Sequence, residues 1–161
     1  MLTPVKSKSS PPTRGIFAVV ASRYNARYVD AMLRAARKTL SGARAKVQIV
    51  RVPGAYEIPV VAARLARQSS GETSIAAIIC LGVILRGETV HAAHIGEAVS
   101  HALMRIQLEH EIPVVHEVLL LENEAQARKR CLDARHNRGT EAAQTALEMA
   151  YVMRSIHVEE Y

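Results

Sequence analysis

Three segments of this chain carry residues whose types and spacing suit chemistry on a polar ligand. Residues 53–59 read PGAYEIP, two prolines and a glycine bracketing Ala55, Tyr56 and Glu57. Proline fixes its own φ, so the Glu57 carboxylate is held in one place, suited to accept hydrogen bonds from a polyhydroxylated ligand. An acid favoured by the dipole at a helix N-terminus accounts for Glu57 equally well. Residues 75–94 read IAAIICLGVILRGETVHAAH, an apolar run expected to turn at Gly82 and Gly87 and to enter a helix near Glu88 and Thr89. His91 then falls in the first helical turn. Imidazole titrates near neutral pH, so a histidine at such a turn suits general acid–base work. The third segment is Tyr24-Asn25, punctuating the end of an apolar run over residues 15–22.

These segments share one expected position. An unbroken apolar run reads as a strand buried on both faces, as in a parallel sheet. The carboxyl edge of such a sheet is where open α/β folds bind ligands, helped by free N–H groups and the positive end of a helix dipole. Taken singly, the Gly82…Gly87 spacing is also that of an ordinary strand-to-helix connection; it is neither a Walker loop nor a dinucleotide fingerprint. Convergence of three strand ends argues for a site more strongly than any one residue.

The elements that must position these residues alternate. Strands are expected over residues 15–22, 46–52, from 75 onward, and 113–121. Helices are expected as a stripe of Tyr28, Val29, Met32, Leu33, Ala36 and Leu40 ending at Gly42, then over 58–68, to about His110, over 122–134 and over 138–156. Ala92, Ile95, Ala98, Val99 and Ala102 mark the apolar face of the third helix, and Ala143, Ala146, Leu147 and Ala150 that of the last. Strand–helix alternation implies βαβ units and a parallel sheet with helices on both faces. The fold class is therefore α/β, a three-layer α/β/α sandwich. Residues 1–14, rich in Pro, Ser and Lys, are expected to be a flexible tail, and residues 15–161 a single domain.

Composition narrows the function. With 161 residues, 49% hydrophobic and 22% charged, there is material for one full core. No apolar run reaches the roughly 18 residues of a membrane span and no signal-peptide core is present, so no membrane partner is expected. Cys80 and Cys131 lack metal or redox spacing, which suits a reduced, cytoplasmic protein. His91, His94 and His101 lie within an arc of about 80°, yet no His-Glu-x-x-His or paired-Cys pattern completes a metal site; His110 and His157 read as surface residues.

The net charge of +6 is uneven: eight bases and one acid lie between Ser22 and Arg51, seven acids and one base between Glu88 and Glu124. That asymmetry fits steering of an anion, contact between copies, or simply solvated helix faces. No Lys/Arg block or RNA-binding aromatic motif is present, and no nucleic-acid partner is expected.

Taken in order, Arg23-Tyr24-Asn25, PGAYEIP, Leu81-Gly82…Gly87-Glu88-Thr89-Val90-His91, Pro113-Val114 and Asn137-Arg138-Gly139 resemble the motifs of the 6,7-dimethyl-8-ribityllumazine synthases, over about residues 15–155. The resemblance implies a flavodoxin-like four-stranded sheet and the penultimate reaction of riboflavin biosynthesis. In that reaction 5-amino-6-(D-ribitylamino)uracil condenses with L-3,4-dihydroxy-2-butanone 4-phosphate, releasing phosphate, with no cofactor. It also implies that Tyr24, Ala55, Tyr56, Glu57, Val83, Ile84 and Leu85 hold the pyrimidine and ribityl chain, with Glu57 on ribityl hydroxyls. Glu88 and Thr89 would offer N–H groups to the phosphate, and His91 would transfer protons. A neighbouring subunit would add His116 and Arg130, Arg130 as the phosphate's cation. The implied assembly is a homo-oligomer, a pentamer or a sixty-subunit shell of twelve pentamers, with riboflavin synthase as a further associate.

The chain departs from the family pattern on the fourth strand, where His116-Glu117 replaces Phe-Gly and Leu120-Leu121 replaces threonines. Arg138 replaces a lysine, keeping an auxiliary charge. Two rivals follow: a weakly catalytic paralogue that binds flavin or lumazine, and an α/β phosphate-binding module without chemistry.

Overall fold

The computed structural model describes residues 14–156, so the expected tail, except Arg14, and His157 lie outside the described residues. Four strands, β1 (Ile16–Ser22), β2 (Lys46–Val52), β3 (Ile75–Leu85) and β4 (Val114–Leu121), form one parallel sheet in the order β2-β1-β3-β4. The helices are α1 (Ala26–Gly42), α2 (Ile58–Arg67), α3 (His91–His110), α4 (Glu124–Ala127) and α5 (Arg138–Ser155). The order turns back between β1 and β3, so their carboxyl ends open the crevice where such sheets take ligands. Among the described residues no helix is long and apolar enough to cross a membrane.

Strand parity divides the core in two. Phe17, Val19 and Ala21 of β1 with Ala77, Ile79 and Leu81 of β3 pack against α1 and α5. Their neighbours Ala18, Val20, Ile78 and Cys80 pack on the other face, with Ile58 and Ala62 of α2 and Val99 and Leu103 of α3. Because β1 and β3 are central and covered on both sides, every position must be apolar or small, which is why their sequences run without alternation. The edge strand β2 is mostly accessible and does not alternate cleanly. All six residues of the α1 stripe are buried, as are Ala143, Ala146, Leu147 and Ala150 of α5.

Two expectations fail. Gly82 is not a turn: β3 runs through it to Leu85, paired with Val118. Its side-chain position is closed by packing, since a Cβ there would lie 3.2 Å from Val118 Cγ1 and 3.3 Å from Ile58 Cδ1. The helix expected over residues 122–134 is the short α4, capped by Asn123 Oδ1 accepting from Gln126 N at 3.0 Å. It widens into a π turn, Arg128–Leu132, closed by the Asp133 N–H donating to the Arg128 carbonyl at 3.2 Å. The Cys131 side chain is buried in the core four residues after the buried Ala127.

Candidate active site

The exits of β1 and β2 are tied together by backbone. The Arg23 N–H donates to the Val52 carbonyl at 2.8 Å and the Tyr24 N–H to the Pro53 carbonyl at 3.0 Å. Asn25, in the left-handed region at φ 56°, caps α1 and turns its side chain across the crevice, where Nδ2 donates to the Val83 carbonyl at 2.7 Å. Asparagine is one of the few residues that tolerates this backbone. Gly54 lets the walls meet: a Cβ there would stand 2.9 Å from both Tyr24 Cδ2 and Glu57 Oε2.

A cleft of about 780 Å³ opens over these exits. Tyr24 and Asn25 line it from β1, Gly54 to Glu57 from β2, Val83 to Leu85 from β3, and His91, His94, Ile95 and Ala98 from α3. Every residue expected to hold the pyrimidine and ribityl chain is therefore present except His116, and His91 joins them as the first residue of α3. Tyr24 and Tyr56 are 68% and 65% exposed, two rings free to stack on a planar ligand. Glu57 is bonded at its local helix start. Its Oε2 accepts the Gly54 N–H at 2.8 Å, a local helix-start bond, which leaves Oε1 available.

Asn25, His94, Ile95 and Ala98 line the cleft although the sequence reading gave them no binding role. Ile95 and Ala98 lie on the apolar stripe of α3, and Ala98 is exposed on the cleft side instead of buried. The signal for His94 was its place one turn beyond His91.

The expected phosphate set is spread out. Glu88 and Thr89 lie in the exposed loop 86–90 before α3 and are not part of the cleft wall. Val90 at the helix N-cap provides no side-chain cap. Among the described residues the N–H groups of Glu88 and Thr89 have no protein acceptor, so the positive end of α3 is open to an anion. Arg130 is exposed on the π turn, away from this cleft. Arg138 also lies outside the cleft. Its Nη2 and Nε donate to Glu117 Oε1 and Oε2 at 2.8 and 3.1 Å, and Nη1 pairs with Glu141, so all its nitrogens are engaged.

His116 points from β4 toward α3, not into the cleft. Nδ1 accepts the Val118 N–H at 3.2 Å and Nε2 lies 2.8 Å from Ser100 Oγ, which donates to the Gly96 carbonyl at 2.7 Å. These bonds assign the ring proton to Nε2. Desolvation lowers the His116 pKa, keeping the ring neutral, though its backbone hydrogen bond opposes this. Burial pushes the Cys80 thiol up to about 12 and the Cys131 thiol to about 11, so neither is a thiolate nucleophile near neutral pH.

Comparison with known proteins agrees with this geometry. Residues 15–154 match the family described as 6,7-dimethyl-8-ribityllumazine synthase. A protein of that name from Stenotrophomonas maltophilia is 40% identical over 148 residues, covering 90% of this chain and 93% of its own length. Others of that name, from Xanthomonas euvesicatoria pv. vesicatoria and Xanthomonas oryzae pv. oryzae, are 39% and 40% identical. They cover 88% and 89% of this chain and 92% of each relative.

Proposed function

The chain belongs to the 6,7-dimethyl-8-ribityllumazine synthase family and is a transferase of riboflavin biosynthesis, and from that premise we propose that the cleft over β1, β2 and β3 is its active site. The reaction joins 5-amino-6-(D-ribitylamino)uracil to L-3,4-dihydroxy-2-butanone 4-phosphate. An amine attacks the ketone to give an imine, phosphate leaves, and ring closure with loss of water yields the lumazine. Holding two substrates in register supplies much of such an acceleration, with proton transfer supplying the rest.

The observation that carries this reading is the meeting of Tyr24, Tyr56, Glu57 and His91 around one cleft although they come from three separate segments. The exposed rings of Tyr24 and Tyr56 supply faces for the pyrimidine, and Glu57 Oε1 takes ribityl hydroxyls. His91, at the mouth of α3, moves protons between the reacting amine and ketone. The open N–H groups of Glu88 and Thr89 receive the phosphate, and the Glu88 carboxylate must point away from it.

The site as proposed is shared between copies. His116 and Arg130 come from a neighbouring subunit, Arg130 as the fork-shaped cation for the phosphate. That neither residue lines its own chain's cleft supports this arrangement. The assembly would be a pentamer or a shell of twelve pentamers, in the cytoplasm, with riboflavin synthase as an associate.

The test mixes purified protein with both substrates and follows lumazine absorbance and phosphate release together. Equal amounts of both products above the uncatalysed background are expected. Retained binding of the pyrimidine with neither product above background would replace catalysis with flavin or lumazine binding.

A further inference from the structure

Asn137, Arg138 and Gly139 begin α5, but each also fixes something outside that helix. Asn137 is 7% exposed and uses both ends of its amide: Nδ2 donates to the Cys131 carbonyl at 2.6 Å, while Oδ1 accepts the Gly139 N–H at 2.9 Å. Arg138 is held by Glu117 and Glu141. Gly139 lies against the backbone of α1, where any Cβ would run into the Met32 carbonyl.

The segment so fixed is the π turn that carries Arg130. Wide turns of this kind are rare and recur at functional positions. Cys131 is fully buried, which leaves Arg130 exposed beside it. The Asn137 amide therefore holds the carbonyl of the residue next to Arg130. Arg130 has no ion pair among the described residues, whereas Arg138 is fully engaged.

We infer that Asn137 is a positioning residue for Arg130: its amide clamps the Cys131 carbonyl and so sets the turn that presents the Arg130 guanidinium to the substrate phosphate. This inference rests on Arg130 being the phosphate's cation, as proposed above. The amide is suited to the task because one group supplies a donor to the turn and an acceptor to the helix. Aspartate keeps the acceptor and the α5 cap but sets a second oxygen against the Cys131 carbonyl. Asn137→Asp therefore releases the turn while keeping the helix start.

The experiment is steady-state kinetics on the full chain with each substrate varied separately. Arg130→Ala is expected to raise KM for the phosphorylated substrate by roughly tenfold or more, as expected for loss of a hydrogen bond to a charged group. Asn137→Asp is expected to raise the same KM by roughly three- to tenfold, to leave the pyrimidine KM within about twofold, and to add nothing in an Arg130→Ala background.

A merely structural role would survive in that background. If the full effect persists there, or if both KM values rise equally, the inference is overturned. If Arg130→Ala itself leaves the phosphorylated substrate unaffected, the reading of Arg130 falls and the inference with it. If Arg130→Ala acts and Asn137→Asp does not, the positioning role alone falls. Should Asn137→Asp not fold, Asn137→Ser, whose hydroxyl keeps a cap acceptor, replaces it with the same expected pattern.

Discussion

Glu117 on β4 and Arg138 at the start of α5, 21 residues apart in sequence, form a two-pronged ion pair with contacts of 2.8 and 3.1 Å. Glu117 is 5% exposed, and burial pushes its carboxyl up while the guanidinium opposes the shift. Two of the positions read from the sequence as departures from the family pattern are thus partners: the Glu117 carboxylate is met by a cation with two binding prongs.

Removing one partner should hurt more than removing both. Glu117→Ala leaves Arg138 partly buried with only Glu141, and a loss of about 1–3 kcal/mol is expected, less than for a fully buried pair. Glu117→Leu combined with Arg138→Leu should cost less than either single change. Urea denaturation of the double variant and of its two leucine singles checks this; a double variant as unstable as the sum of those singles would show that the pair carries no coupling.

His116 should make stability depend on pH. Its folded pKa is lowered below the usual 6.5, chiefly by desolvation, so the unfolded chain takes the proton first as pH falls. The contribution is complete above about pH 6.5 and is lost as pH falls from there toward the lower folded value. Midpoints measured from pH 8 to 5 should fall less steeply for His116→Phe. Parallel curves would remove this assignment.

The proposed function gives His91 the proton-transfer role. His91→Ala should lower turnover by roughly ten- to a thousandfold with substrate binding largely kept, the span expected when positioning supplies much of the rate. Single-turnover kinetics separate the steps. Unchanged turnover would move the role elsewhere, and His94, one turn further along the cleft wall, would be the next residue to change.

Gly139 is expected to be nearly irreplaceable. A methyl group there meets the Met32 backbone, which has no side-chain freedom with which to yield. Gly139→Ala should cost several kcal/mol, more than the roughly 1–3 of ordinary overpacking, by forcing α5 away from α1. Thermal unfolding measures it, and a Tm within a degree or two of the parent would mean that the helices separate at little cost.

Local pattern determined the architecture. The strands buried on both faces had to be apolar throughout, and the α1 and α5 stripes had to recur at helical spacing, so each element could be read from its own residues. The same held for most of the cleft, because strand ends and the turns after them must converge at one sheet edge.

Tertiary structure decided what depends on partners distant in sequence. Gly82 reads as a turn until Ile58 and Val118 are seen to close over it. The helix expected after β4 is only one turn long before it widens into the Arg130 segment, with Asn137 tying the Cys131 carbonyl. Strand parity sends the adjacent residues His116 and Glu117 to opposite faces, one toward Ser100 of α3 and the other toward Arg138 of α5. Sequence alone could name both residues; which groups met them depended on packing between elements, and no local spacing encodes that.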